Sequence, residues 1–214
     1  MTVRADLNVS LDGMATTTDQ TPENPFGDDW GRLVAAYTAT RTFRARVLGD
    51  SSGEGTAGVD EAYASAYFDE VGAEIMGAGM FGLHEHAGDE DWRGWWGDEP
   101  PFHVPVFVLT HTRRPTIEFA NGTSFHFVEA TPQHALAQAV AAAGGKDVRI
   151  GGGVDVVRQF LRAGLIDRLH LAVAPLVIGN GERIWDGLRG IENDYAVSSE
   201  VAESGVTHVT FTRR

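Results

Sequence analysis

The sequence predicts an α/β fold with a mostly parallel central sheet, flanked by helices, and an antiparallel edge near the C-terminus. Three observations carry this. Short runs rich in β-branched residues alternate with segments of helical spacing as far as Ala163. Glycine-bearing or polar turns follow several of these runs. Two alternating segments, Tyr195–Ala202 and Val206–Thr212, are joined at Glu203-Ser204-Gly205 and read as a closing hairpin.

Taken in order, Thr2–Leu11 alternates apolar and polar residues and reads as a strand ended by the turn Leu11-Asp12-Gly13-Met14. Ala15–Gly27 is a polar loop holding Pro22 and Pro25, a length that suits either a lid or a solvated insertion. Asp28–Tyr37 reads as a short helix capped by Asp28. Leu48–Gly58 is the most linker-like stretch, and a mobile insertion is expected near 40–58. What precedes it is too short to bury its own core, so one domain over 1–214 is expected.

Val59–Val71 has helical spacing, and Ala73–Met76 is a short strand that opens into Gly77-Ala78-Gly79-Met80-Phe81. His84–Pro101 is a rim of charges with Trp92, Trp95 and Trp96, which suits a cleft wall, a subunit interface or core packing. Val104–Thr110 is a buried strand, and Thr123–Glu129 alternates as another. Thr131–Ala143 is a helix with Thr131 as cap, Pro132 at its first position and Gly144-Gly145 as its stop. Val148–Ile150 runs into Gly151-Gly152-Gly153, and a helix continues to about Ala163. Leu165–Pro175 is a strand ended by the turn Val177–Gly181.

The composition excludes several classes. There are 0 cysteines, so disulfides, thiolate metal sites and a cysteine nucleophile are absent. The net charge of −13 shows no basic face for nucleic acid. No run approaches the roughly 18 apolar residues that span a bilayer. No secretory signal is seen, and a cytoplasmic enzyme is the plain expectation. His84-Glu85-His86 brings no third ligand with it, so no metal is expected.

Gly151–Gly153 between a strand and a helix suits either a tight turn or a cradle for a pyrophosphate, which glycine lets approach the helix N-terminus. The turns at Asp12-Gly13, Gly77–Gly79 and Thr110–Arg114 fall at strand ends of the same kind, where ligands of open α/β sheets bind. Together they favour a nucleotide cofactor. A Cβ at Gly152 is then expected to block the pyrophosphate while leaving the chain folded.

Several stretches, in order, carry a resemblance. They are Ser10–Met14, Ile75–Phe81, Pro105–His111, Gly151–Gly153, Gly164–Leu171 and Ala174–Trp185. The chain resembles, over nearly its whole length, the dihydrofolate-reductase-like proteins related to the C-terminal reductase domain of bacterial riboflavin biosynthesis. The resemblance implies NADPH as hydride donor, a small heterocyclic substrate of pteridine or pyrimidine type, and a homodimer. It implies that Gly151, Gly152, Gly153 and Val154 hold the pyrophosphate. Gly77, Gly79 and Met80 would line the second junction. Thr110, His111 and Thr112 would follow the adenosine half, with Arg113 or Arg114 near the 2′-phosphate. Leu7 and Asn8 would approach the nicotinamide. Family members commonly have Arg where this chain has Ala78, so NADH is also possible. Counting back from Gly77 gives Glu61 as the acid that would hold the heterocycle, and the strand-end carboxylate Asp12 is a second catalytic candidate. A nucleotide-binding protein without turnover and a partner-docking module are the alternatives.

Overall fold

The computed structural model describes residues 1–17, 20–21 and 23–214. In chain order its strands are β1 (Val3–Ser10), β2 (Met14–Thr16), β3 (Val71–Gly77), β4 (Pro105–Leu109), β5 (Ile117–Glu118), β6 (Ser124–Val128), β7 (Asp147–Gly152), β8 (Arg168–Ala174), β9 (Glu182–Arg183), β10 (Tyr195–Val201) and β11 (Thr207–Arg213). Its helices are α1 (Trp30–Leu33), α2 (Ala35–Thr38), α3 (Arg41–Val47), α4 (Val59–Phe68), α5 (Ala78–Phe81), α6 (Pro132–Ala142) and α7 (Val154–Arg162). The residues cluster into two compact units. One comprises Met1–Ala5 with Glu70–Asp167, the other Asp6–Asp69 with Arg168–Arg214.

The first unit has strand order β1-β7-β3-β4-β6-β5. All its neighbouring pairs are parallel except β5 with β6. Helix α6 forms as its sequence dictates: the Thr131 hydroxyl accepts from His134 N, and Pro132 occupies the first turn. Gly144 and Gly145 then take φ of +60° and +84°, which end a helix at little steric cost. Helix α7 turns Val154, Val157 and Leu161, with Val156 and Phe160, into the core at helical spacing. The aromatic rim is folded inward. Trp92 and Trp96 pack on a cluster of Met76, Phe81, Leu83, Phe102, Val106, Val108 and Phe125. Trp92 Nε1 donates to Phe81 O at 2.9 Å, and Trp96 meets Phe102 edge-on. Of the three uses open to the rim, core packing is the one with visible contacts.

The first unit also buries charge. Glu74 on β3 and Arg149 on β7 are register partners, each about 1% exposed, and form an ion pair. Such a pair persists in an apolar interior only because each charge answers the other.

The second unit has strand order β10-β11-β8-β1 and a small ribbon of β2 with β9. β10 pairs with β11 over seven registered residues from Tyr195↔Arg213 to Val201↔Thr207, the hairpin the alternation predicts. The polar loop expected from Ala15 starts as β2 instead, paired through Met14↔Arg183. Thr18, Asp19 and Pro22 of that loop lie outside the described residues. The single helix expected over 28–37 is two short ones, because Val34 (φ −100°, ψ 8°) breaks the run. Asp29, not Asp28, stands at the N-cap, and it makes no side-chain cap bond.

Within the insertion expected near 40–58, Arg41–Val47 is helical. Thr40 Oγ1 accepts from Phe43 N at 3.2 Å and caps it. The loop that follows is braced by Arg44 on Asp50, at 2.9 and 2.5 Å. Among the described residues, no helix is long and apolar enough to cross a membrane.

Candidate cofactor-binding edge

Three strand ends of the first unit reach the same level. Met76 is registered with Gly152, and Gly77 with Leu109. The chain therefore leaves β7 through Gly153, β3 through Ala78 and β4 through Thr110, side by side at the C-terminal ends of parallel strands. A methyl group at Gly77 would lie 2.9 Å from Val156 Cγ2 and 3.7 Å from Gly153 N. Met80 Sδ is 3.3 Å from the corresponding position at Gly152. Gly77 and Met80 are thus brought beside Gly152 and Gly153, whereas Gly79 faces His84.

The three consecutive glycines have three different causes. A methyl at Gly151 would overlap Glu74 Oε1, so this glycine serves the buried ion pair. Gly152 has φ +125° and faces Met80, a conformation that L side chains rarely adopt. The Gly152–Gly153 peptide is cis. At Gly153 φ is −65°, and a methyl there would meet none of the described residues within 4 Å. Only Gly153 therefore faces open space. It is also the N-cap of α7, and no side chain caps that helix. The first-turn N–H groups of a helix without a side-chain cap are donors suited to an anion. This corrects the expectation for Gly152, since a Cβ there strains the backbone whether or not a ligand binds.

The β4 turn is more open. Thr110 Oγ1 accepts from Thr112 N at 3.0 Å, and Thr110 N donates to Val128 O. His111, 93% exposed, meets Glu129 Oε1 at 2.9 Å. Arg114 is committed elsewhere: it donates to Glu90 O at 2.7 Å and Trp92 O at 2.9 Å and lies over Phe127. Of the two adjacent cations, Arg113 is the exposed one.

The remaining expected residues belong to the second unit. Leu7 and Asn8 are half-buried on β1. Glu61 on α4 accepts from Thr42 N at 3.0 Å and Thr42 Oγ1 at 2.8 Å, so both carboxylate oxygens fasten the start of α3. Asp12 accepts from Ser10 Oγ at 2.6 Å, Gly179 N at 2.7 Å and Ile178 N at 3.2 Å. These bonds, that from Ser10 foremost, hold its carboxyl at about 2 against a usual 3.8. A carboxylate held that low is ionised at neutral pH and serves as an acceptor, not as a proton donor. Ser10, 1% exposed and also accepting from Met14 N, is the organising residue that sequence reasoning missed.

The Asp12 brace has a sign that can be checked. A lowered carboxylate pKa adds stability that is present above pH 3.8 and is lost as pH falls toward 2. The Asp12→Asn variant is expected to start less stable at neutral pH and to lose less between pH 4 and 2. Acid unfolding followed by circular dichroism checks this, and identical pH slopes in the two proteins count against the brace.

Among the described residues no group of three or more histidines or carboxylates could hold a metal ion. His86 is stacked on Trp92 at 3.6 Å.

Glycine-bearing ends of adjacent parallel strands, an uncapped helix N-terminus beside them and an antiparallel hairpin at the C-terminal end define a dihydrofolate-reductase-like α/β protein. The chain belongs to the RibD C-terminal domain family, whose model matches residues 1–207. The fold is also that of a protein of Shewanella sp. PV-4 named for riboflavin biosynthesis. That likeness has a TM-score of 0.61 at 21% identity and covers 100% of this chain and 99% of the other. A diaminohydroxyphosphoribosylaminopyrimidine deaminase/5-amino-6-(5-phosphoribosylamino)uracil reductase of Thermotoga maritima aligns with TM-score 0.54 at 13% identity, over 100% of this chain and 56% of that one. The uncharacterized protein YyaP of Bacillus subtilis (strain 168) is 28% identical over 67 residues, which are 31% of this chain and 36% of YyaP. The chain thus spans little more than half of the Thermotoga protein, and its match covers about a third of YyaP.

Proposed function

We propose that the protein is an NAD(P)H-dependent reductase that acts on a small heterocycle of pyrimidine or pteridine type. The observation that carries this is the open backbone at Gly153, set at the uncapped N-terminus of α7 beside the Gly77 junction. A dinucleotide pyrophosphate fits such a cradle, because the α7 N–H groups point outward and no Cβ stands in the way. Gly153 and Val154 hold the pyrophosphate, Gly77, Gly79 and Met80 flank it, and Arg113 offers the exposed cation for an adenosine 2′-phosphate. When bound, the nicotinamide supplies the hydride.

With Ala78 bringing no guanidinium to the 2′-phosphate, discrimination between NADPH and NADH is expected to stay below about tenfold, or ~1.4 kcal/mol. Titration of both cofactors against tryptophan fluorescence tests the reading. Saturable quenching by either supports it, and flat titrations with both would overturn it. One observation favours a second reading, a nucleotide-binding protein without turnover: Asp12 and Glu61 are both tied to local backbone, and Asp12 is ionised. Saturable binding without oxidation across pyrimidine and pteridine substrates would select that reading.

A further inference from the structure

Two histidines of the second unit are buried and joined. His170 Nε2 lies 2.9 Å from His208 Nδ1. The outer nitrogen of each ring meets a carboxylate. His170 Nδ1 is 3.2 Å from Asp6 Oδ1, and His208 Nε2 is 2.9 Å from Asp60 Oδ1. The four side chains are between 4% and 15% exposed. Tyr63 lies flat over both rings, with centroids 4.1 Å from His208 and 4.3 Å from His170, and its hydroxyl donates to Glu200 Oε1 at 2.8 Å. The chain Asp6–His170–His208–Asp60 runs from β1 through β8 and β11 to α4.

Proton counting makes this arrangement informative. An ionised carboxylate only accepts, so each ring must carry a hydrogen on its outer nitrogen. The inner contact between the two rings needs one hydrogen as well. Three hydrogens are required, and two neutral imidazoles supply two. With only two, one contact in a buried place sets acceptor against acceptor, a cost the other two bonds do not relieve.

We infer that His170 and His208 form a buried proton-binding site that holds one shared proton and thereby latches α4 onto the sheet of the second unit. The charged groups around the rings fit a single added charge. Asp6 faces from β1, Asp60 from α4 and Glu200 from β10, with Arg168 of β8 also near Tyr63. Burial keeps the Tyr63 phenol protonated by raising it above its ordinary value, with Glu200 adding to this, so it contributes no further negative charge. Burial also lowers His208, against the raising effect of Asp60, and the neighbouring His170 lowers it further.

The pair behaves as one titrating unit, and its two steps belong to the pair. A first proton, met by three hydrogen bonds and two carboxylates, is kept at pH values where a free imidazole has lost it. A second would place two buried cations side by side and is refused where a free imidazole would accept it. Stability falls wherever the unfolded chain binds more protons as pH drops, and wherever it binds fewer as pH rises. The contribution of the pair is therefore greatest near the ordinary imidazole value of about 6.5 and declines on both sides.

Nitrogen-15 spectra of the imidazole rings, recorded on the full chain from pH 5 to 9, test this directly. One ring with both nitrogens protonated at pH 7, the other protonated only on the nitrogen that faces its carboxylate, and two steps on opposite sides of about 6.5 are expected. Two neutral rings at pH 7, or two independent titrations at the ordinary value, would overturn the assignment. Amide exchange of residues 59–68, corrected for intrinsic rates, reads the latch. Protection is expected to fall about tenfold relative to β8 as pH passes the upper step, the scale of roughly one bond to a charged group. The isosteric Asp6→Asn variant is expected to move that loss down by about one pH unit. Protection of α4 that ignores pH would remove the latch.

Discussion

Replacing Glu74 with leucine is expected to cost about 3–5 kcal/mol of folding stability, because it removes the carboxylate paired with the buried Arg149 guanidinium. Both side chains are about 1% exposed, and neighbouring strands hold them in register, so Arg149 cannot turn to water without breaking the β3–β7 pairing. The Arg149→Met variant is expected to be comparably harmful. The double variant should be much less so, since replacing both charges with apolar groups removes the desolvation cost along with the attraction.

Gly151 supplies an internal control. Its alanine variant puts a methyl on Glu74 Oε1, so it should be strongly destabilising alone but add little further loss when Glu74 is already shortened to alanine. Urea unfolding of the singles and doubles reads all of this. A single-variant loss below about 1 kcal/mol, the range of exposed ion pairs, would show that the pair is not shielded from water.

The Gly153→Ala variant is expected to weaken cofactor binding about a hundredfold, near 2.7 kcal/mol, while changing stability by roughly 0.5 kcal/mol or less. The two halves of this expectation have separate causes. With φ at −65° and no described atom within 4 Å of the new methyl, the folded chain can accept it. The methyl stands in the space a pyrophosphate needs to reach the α7 N–H groups, and losing even one or two charge-assisted hydrogen bonds reaches this size. Gly152→Ala makes the informative contrast. At φ +125° and facing Met80, it should lose stability first, and any loss of binding then follows from that. Equal affinity of the wild type and the Gly153→Ala variant, measured calorimetrically, would sink the cradle reading.

These two cases show where sequence reading succeeds and where it stops. Strands with β-branched runs, helix α6 between Thr131-Pro132 and Gly144-Gly145, and the closing hairpin are all legible, because their signals are local. Helix α3 is not. Arg41–Val47 has no clear apolar stripe, and what fixes it comes from Glu61, nineteen residues on from Thr42. Strands β2, β5 and β9, of two or three residues, are too short for periodicity to register.

The glycine triplet was legible as a junction. Which glycine faces solvent depends on Glu74 and Met80, partners on another strand and another helix. The histidines at 170 and 208 read as ordinary strand positions, because alternation says nothing about which polar side chains meet across a sheet. The two units escape detection for a similar reason. Each is assembled from separated segments, so no shift in composition marks a boundary.

The way β1 is divided has a consequence for biosynthesis. Val3–Ala5 belongs to the unit completed by Asp167, and Asp6–Ser10 to the unit that needs Arg168–Arg214. A ribosome making this chain releases every segment of the first unit before any of the last four strands emerges. Residues 6–69 must therefore wait for their later partner strands through the translation of roughly a hundred further codons, several seconds or more at ordinary elongation rates. During that interval the imidazole pair does not yet exist, Asp6 and Asp60 have no buried partners, and α4 has no sheet strand at 168–174 to dock on. The nascent chain is most open to chaperones and proteases over residues 6–69, although that segment is synthesised early.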